Sequence, residues 1–328
     1  MTGRAPPMRR RKVLLGAAGA LAAAAGLGGV AAFRGHAAAR GLATRTRTGL
    51  ALGTVMALTL AHRDEAALEP ALQAAFRAIR AVEAAASLFR ADSALARLNR
   101  DGVLDAPDPL LLAPLRFALA LAEASGGAFD PTVQPLWTLW AGAAARGERP
   151  GEAALREAVA RVDWRRVSVG EDAIRLPPGM GLTLNGLVQG FAADRVMACL
   201  EAHGIRDAFI DTGEFGASGR HPDGTPWRLG LADPRPPHRI AEVIAPFTGF
   251  ASTSGDYATS FSADHADHHI FDPRTGRSPK ALSSVTVTAP TGLLADGLST
   301  AAMVLGEAGG GLLIAGYDGC AARFTAKA

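Results

Sequence analysis

The chain has 328 residues, room for one large domain or two ordinary ones, and its 48% apolar and 20% charged residues exclude a disordered polymer. Its formal charge of +3 does not mark a nucleic-acid binder, because six of the 34 basic residues precede Arg40 and no acid precedes Asp64. The remainder carries 28 basic against 31 acidic residues, so the body is slightly acidic.

The N-terminus accounts for the asymmetry. Arg9-Arg10-Arg11-Lys12 is a basic n-region, Val13 to Phe33 carries no charge, and Ala37-Ala38-Ala39 is a small-residue cleavage site. That plan describes an export signal over residues 1–39, and consecutive arginines before a Gly/Ala-rich run are twin-arginine-like. The expected location is periplasmic; the competing reading keeps the uncharged run as an anchor in the inner membrane. Residues 40–48, basic and Thr-rich, are expected to be a flexible mature N-terminus, with the folded domain spanning 49–328.

Leu50 to Ala61 is rich in Leu, Val and Thr and predicts a strand. Ala66 to Phe89 predicts a long helix, with Leu68, Leu72, Phe76, Ile79, Val82 and Ala86 at helical spacing. Phe89-Arg90-Ala91-Asp92-Ser93 ends it and caps a short helix through Leu98-Asn99. Pro109 to Ser125 predicts another helix, stopped by Gly126-Gly127. The Trp137/Trp140 pair reads as core packing or a pocket wall, and 141–152 as a surface insertion. Glu152 to Val162 predicts a helix and Val167 to Leu176 a hairpin about Gly170. Leu182 to Gly190 predicts a short strand and a glycine-bounded turn, followed by a helix over Phe191–Ala202. Strands are expected at Ala208–Asp211, Trp227–Leu231, Ile240–Phe247 and Ser284–Ala289, and a last helix over Leu293–Leu305. Helices and strands mix without a βαβ rhythm, which favours α+β. Cys199 and Cys320 have mainly apolar neighbours; one disulfide between them is open in an oxidising compartment, and two small buried thiols are the favoured reading.

The densest chemistry lies between Thr253 and Gly276, with three histidines, several carboxylates and turns at Ser254-Gly255 and Asp272-Pro273. His265, Asp267, His268 and His269 could be metal ligands, but adjacent histidines on an extended chain point to opposite faces. One histidine facing a pocket as a general base fits better, with its neighbours at the surface. Asp296 and Thr300 stand four apart on one face of the last predicted helix. Their oxygens suit a hard cation such as Mg²⁺; the plainer reading is a Thr bonded back to its own helix beside a solvated Asp. The chain has no G-x-S-x-G elbow, P-loop or H-E-x-x-H, which removes the usual serine hydrolase, NTPase and zinc protease readings.

Six segments in order resemble the ApbE family of FAD:protein FMN transferases. They are Phe89 to Ser93 with Leu98-Asn99; Gly127 to Pro131; Asn185 to Asp194; Thr253 to Tyr257; His269 to Gly276; and Ala295 to Thr300. The resemblance runs from about Gly53 to Gly306. It implies a single α+β domain of mixed sheets and helices, formed of two interleaved subdomains. It implies Mg²⁺-dependent transfer of FMN from FAD to a Thr or Ser hydroxyl of an acceptor flavoprotein, releasing AMP. By the same resemblance Ala128, Phe129, Asp130, Thr183, Gln189 and Ile270 contact FAD, Gly186 joins Asp296 and Thr300 around Mg²⁺, and His269 is the catalytic base. The pattern departs at Thr183 (Asp in many members), at Gln189 (Lys or Glu), near Phe89 and at Ser299. Leu182 to Gly186 with Gln189-Gly190, and the export signal, are similar to the subgroup linked to nitrous-oxide respiration, whose acceptor is a membrane-bound flavoprotein. Two rival functions remain: a periplasmic FAD-binding protein that transfers nothing, and a Mg²⁺-dependent FAD pyrophosphatase in which water replaces the acceptor.

Overall fold

A computed structural model describes residues 41–236 and 239–327; the export signal expected over 1–39 lies outside the described residues. Strands β1 (Ala43–Ala51) and β2 (Thr54–His62) form an antiparallel hairpin across Leu52-Gly53. This corrects two expectations: the stretch 40–48 is strand from Ala43 onward, not a flexible terminus, and the single strand over 50–61 is a turn and its second arm. The reason lies in alternation at period two. The Thr46 and Thr59 hydroxyls meet across the hairpin at 2.9 Å. Arg45 reaches Glu65 and Glu69 behind the strand, while Arg47 lies over the Phe76 ring. The basic residues of this stretch serve an edge strand backed by two acids, Glu65 and Glu69.

Helix α1 (Leu68–Ala86) buries Leu68, Leu72, Ile79, Val82 and Ala86 on one stripe, as the periodicity predicts. Helix α2 (Ala94–Asp101) is capped by Ser93, whose Oγ accepts from Ala96 N at 3.0 Å. Strand β3 (Val103–Asp105) follows, then α3 (Pro109–Ala124), which begins on the Asp108 cap and ends where Gly126 and Gly127 take positive φ. Helices α4 (Gln134–Ala144) and α5 (Glu152–Val159) come next, so the first residues of the expected surface insertion continue α4. Strands β4 (Ser168–Val169) and β5 (Ala173–Arg175) join β3 in a small sheet ordered β3-β5-β4.

Helix α6 (Val188–Ala202) starts three residues before its expected first residue. Leu182 to Leu184 is not a strand; one bridge, Val133 to Gly181, holds that approach. Strands β6 (Asp207–Asp211), β7 (Phe215–Ser218), β8 (Leu229–Ala232), β9 (Ile240–Ile244), β10 (Gly249–Gly255) and β11 (Leu282–Ala289) follow. Helix α7 (Gly292–Ala315) runs ten residues past its expected end, through a kink at Gly306 (φ 73, ψ 179) that needs a residue without Cβ. Strand β12 (Ala321–Ala326) closes the chain.

The principal sheet is antiparallel throughout, ordered β1-β2-β6-β7-β10-β11-β12. Helices α1, α6 and α7 pack against one face, and Leu58, Leu60, Ile79, Val196, Ile210, Val285, Val287 and Leu298 fill the core between them. The β8–β9 ribbon covers part of the other face, where Trp227, Leu229 and Phe247 pack on Phe209. A third, smaller core joins α4 and α5 to the segment after β10 through Leu136, Trp140, Leu155, Ala158 and Phe271. The fold is α+β, as expected. Cys199 and Cys320 are free and half-buried.

Candidate active site

The turn Gly127 to Thr132, the loop Thr183 to Gly186 and the start of α6 are linked to one another and to α7. The turn Gly127 to Thr132 is shaped from within. Phe129 N donates to Ser125 Oγ at 3.0 Å. The Asp130 carboxylate accepts from Thr132 N at 2.8 Å, from Thr132 Oγ1 at 2.6 Å and from Trp164 N at 3.2 Å. Ala128, Phe129 and Asp130 are all buried. Burial raises the Asp130 carboxyl above its ordinary pKa, and these donors oppose the shift. The Asp130 side chain is thus occupied in holding its own turn.

The turn is tied to the next loop by Thr183, whose N donates to Pro131 O at 2.7 Å and whose Oγ1 accepts from Asn185 N at 3.2 Å. Asn99 holds the same loop with both ends of its amide, at 2.7 and 2.8 Å from Leu182 N and O. Gln189 lies over the tight Gly213 turn, where an added Cβ would stand 2.4 Å from Gln189 Nε2.

The structure brings Gly186, Asp296 and Thr300 together. Thr300 Oγ1 is 3.4 Å from the Gly186 carbonyl oxygen. A Cβ on Gly186 would lie 3.1 Å from Thr300 Oγ1 and 3.4 Å from the Phe129 ring, so the expected flavin turn and the expected cation ligands are neighbours. Asp296, 4% exposed, accepts from Gly190 N at 3.0 Å and from Ser252 Oγ at 3.5 Å. Glu214, from the β6–β7 turn, is buried beside it. No Lys or Arg pairs with either carboxylate among the described residues. Burial pushes Asp296 up to about 7. Glu214 is raised well above the usual range, by burial and then by the Asp296 charge, while burial takes Asp211 to about 6.

The buried Asp296 carboxylate, with no basic partner among the described residues and next to a carbonyl and a hydroxyl oxygen, gives a hard-donor set that would fit Mg²⁺. Ser299 does not add a free oxygen to it, because Ser299 is fully buried and its Oγ donates to Asp296 O at 2.9 Å. Helix α7 is fixed in turn by Asp194, which accepts from Gly292 N at 2.6 Å and Leu293 N at 2.9 Å.

His269 sits on a short hairpin that leaves β10. Its backbone N donates to Thr259 O at 3.0 Å, and its Nδ1 lies 3.1 Å from that same oxygen. A carbonyl can only accept, so Nδ1 carries the proton and Nε2 keeps its lone pair. Burial, then the neighbouring His268, lowers His269 to about 4, so the ring is neutral near pH 7. No hydrogen bond joins His269 to Asp296, Thr300 or Gly186 among the described residues. The expectation that its neighbours lie at the surface fails at His268, which is fully buried with Nε2 3.1 Å from Pro279 O. Opposite faces of an extended pair put one ring inside the hairpin. Among the described residues no group of three or more His, Cys, Asp and Glu could hold a metal ion, so the histidine cluster does not form one. Ile270 is buried in the main core.

The sequence model of the ApbE family matches residues 52–324. The chain belongs to the ApbE family. A FAD:protein FMN transferase of Treponema pallidum is 34% identical over 303 residues, covering 85% of this chain and 83% of that protein. The solved flavinyl transferase ApbE of Pseudomonas stutzeri, in its apo form, superposes with TM-score 0.74 at 31% identity, covering 86% of this chain and 91% of that one. The flavin transferase ApbE of Vibrio cholerae gives TM-score 0.76 at 25% identity, covering 88% and 94%.

Within this ApbE fold the Asp296 environment has a measurable consequence. Asp296 has an ordinary pKa of 3.8 and a folded one of about 7, so between those values the folded, metal-free protein holds a proton that the unfolded chain has lost. The Asp296 contribution to stability therefore falls as pH rises from about 4 to about 7 and stays low above that. Asp296→Asn removes the penalty. Calorimetry in EDTA at pH 8 is expected to show the variant melting several degrees above wild type, with the difference gone near pH 4. An equal melting temperature at pH 8 would show that Asp296 is not strained by burial.

Proposed function

We propose that this chain transfers the FMN half of FAD to a Thr or Ser hydroxyl of an acceptor flavoprotein, releasing AMP, with Mg²⁺ required. The observation that carries the reading is the His269 ring. Its Nδ1 is committed to Thr259 O, so Nε2 is free to accept a proton, and the hairpin that bears it continues from the strand whose serines face Asp296 and Thr300. The flavin end of FAD lies against Ala128, Phe129, Asp130, Thr183, Gln189 and Ile270. Gly186, Asp296 and Thr300 would hold Mg²⁺, which would supply neutralisation of charge on the diphosphate oxygens.

The acceptor hydroxyl oxygen attacks the phosphorus of the FMN half and gives its proton to His269 Nε2. A phosphoester bond forms, the anhydride bond to the AMP phosphate breaks, and AMP leaves with that electron pair. The acceptor hydroxyl is a poor nucleophile at neutral pH, so the adjacent base is needed. The proposed place of action is the periplasm and the proposed acceptor a membrane-bound protein facing it; the basic n-region and uncharged run of residues 9–33 support this.

Intact-mass analysis tests the reading. An acceptor domain bearing a candidate Thr, incubated with the protein, FAD and Mg²⁺, is expected to gain one FMN as AMP forms. FAD bound without gain or AMP would establish a binding protein instead. Free FMN and AMP, formed equally with and without acceptor, would establish a pyrophosphatase that uses water.

A further inference from the structure

Three hydroxyls from two elements, Ser299, Ser254 and Thr300, of which only Thr300 is a cation ligand in the reading above, form a chain between the Asp296 carbonyl and Gly186. The order of their protons follows by counting, since each hydroxyl has one proton to give. Ser299 Oγ lies 2.9 Å from the Asp296 carbonyl oxygen, which can only accept, so the Ser299 proton is committed there. Ser254 Oγ lies 2.8 Å from Ser299 Oγ. Ser299 has nothing left to donate, so Ser254 donates to it. Thr300 Oγ1 lies 3.1 Å from Ser254 Oγ. The Ser254 proton is spent, so Thr300 is the donor in that contact.

The Gly186 carbonyl is the other acceptor near Thr300 Oγ1, at the longer distance of 3.4 Å. With the Thr300 proton turned to Ser254, these two oxygens face each other with lone pairs only. Oxygen ligands of octahedral Mg²⁺ lie at 2.0–2.1 Å from the ion, so adjacent ones stand about 2.9 Å apart. The pair at 3.4 Å needs only a small closure to fit.

We infer that Ser254 is a positioning residue of the cation site: its hydroxyl, oriented by Ser299, takes the Thr300 proton and leaves Thr300 Oγ1 and the Gly186 carbonyl as paired acceptors for a divalent cation. The inference rests on the reading of Gly186, Asp296 and Thr300 as its ligands. Without Ser254 the Thr300 proton turns to Gly186 O and stands where the cation must bind. Alternation along β10 explains why this serine has the role. Ser252 and Ser254 face α7, while Thr253 points away and bonds Thr286 Oγ1 at 2.8 Å.

The test is Mn²⁺ binding to flavin-free protein, followed by the electron paramagnetic resonance signal of free Mn²⁺. Ser254→Ala is expected to weaken binding about tenfold, the usual effect of losing a partner that orients a metal ligand. Ser299→Ala should act in the same direction, because Ser254 can then turn its own proton to Thr300. Ser254→Thr keeps the hydroxyl and should restore wild-type affinity, and Thr253→Ala, on the same strand, should leave it unchanged. Wild-type affinity in Ser254→Ala, with binding lost in Thr300→Val, would overturn the positioning role and spare the cation site. Unchanged binding in both Thr300→Val and Asp296→Asn would overturn the cation reading and this inference with it.

Discussion

His269→Ala is expected to lower FMN transfer by about a hundredfold to ten-thousandfold, the range a positioned general base supplies, while FAD binding is retained. His269 is separate from the Ala128 to Asp130 turn in both chain and contacts. It hangs from Thr259 on its own hairpin, whereas the turn at Ala128 to Asp130 is stabilised by Ser125, Thr132 and Trp164. Removing the imidazole leaves those contacts in place. Single-turnover transfer followed by intact mass, beside a flavin-fluorescence titration, separates the two quantities. A transfer rate within tenfold of wild type would remove His269 from the reaction. The pH dependence has a definite sign. A ring lowered to about 4 is already unprotonated at pH 6, so His269 contributes no loss of rate between pH 8 and 6. Its effect enters only as pH falls toward 4, where the proton that Nε2 must accept is already there.

The hairpin is held from the opposite side by residues far away in sequence. Trp140 of α4 stacks on Phe261 and Phe271, with ring centroids 6.0 and 6.3 Å away, and its Nε1 donates to Gly276 O at 2.9 Å. Arg149 pairs with Asp267 at 2.7 Å, and Arg277 pairs with Glu152. Helix α4 begins directly after the Ala128 to Val133 turn. One short helix therefore supports both the turn at Ala128 to Asp130 and the hairpin that carries His269.

What could be read in advance follows from how far each signal reaches along the chain. The stripe of α1, the Ser93 cap and the Asp296/Thr300 spacing are local, and periodicity or a cap residue reveals them. Glu214 could not be found that way. It is one acid in the turn Thr212 to Gly216, and its place beside Asp296 depends on β7 pairing with β10. Ser252 and Ser254 matter only because β10 lies under α7. Strand β1 is hidden for another reason. Its arginines read as solvation until the acids of the segment before and within α1 are placed behind them. At the other end, the last helix is expected to finish at Leu305, yet the chain bends at Gly306 and resumes helix. Composition at a glycine does not distinguish a kink from an end.

Gly190→Ala is expected to cost about 3 kcal/mol of stability or more, at or beyond the upper end for overpacking, and to abolish Mn²⁺ binding. The added Cβ would lie 2.0 Å from Gly292 O, 2.5 Å from Gly292 C and 2.8 Å from Asp296 Cβ. Two of those atoms are backbone at the start of α7, so no side-chain rotation relieves the overlap; the helices must separate. Gly292 meets the same barrier in reverse, with its own Cβ position 2.3 Å from Gly190 O. The contact sets the depth at which α7 lies on α6, and that depth lets Gly190 N reach Asp296 Oδ2 at 3.0 Å. Moving α7 outward also carries Thr300 away from Gly186 O, where the two now stand 3.4 Å apart. Gly311, farther along the same helix, has nothing within 4 Å of the position an added methyl would take. Gly311→Ala should therefore be neutral or stabilising by up to about 1 kcal/mol, from helix propensity alone. Urea unfolding and Mn²⁺ binding of the two variants give the comparison. If Gly190→Ala unfolds at the same urea concentration as Gly311→Ala and binds Mn²⁺ as wild type does, the close approach of α6 and α7 is not what holds Asp296 in place.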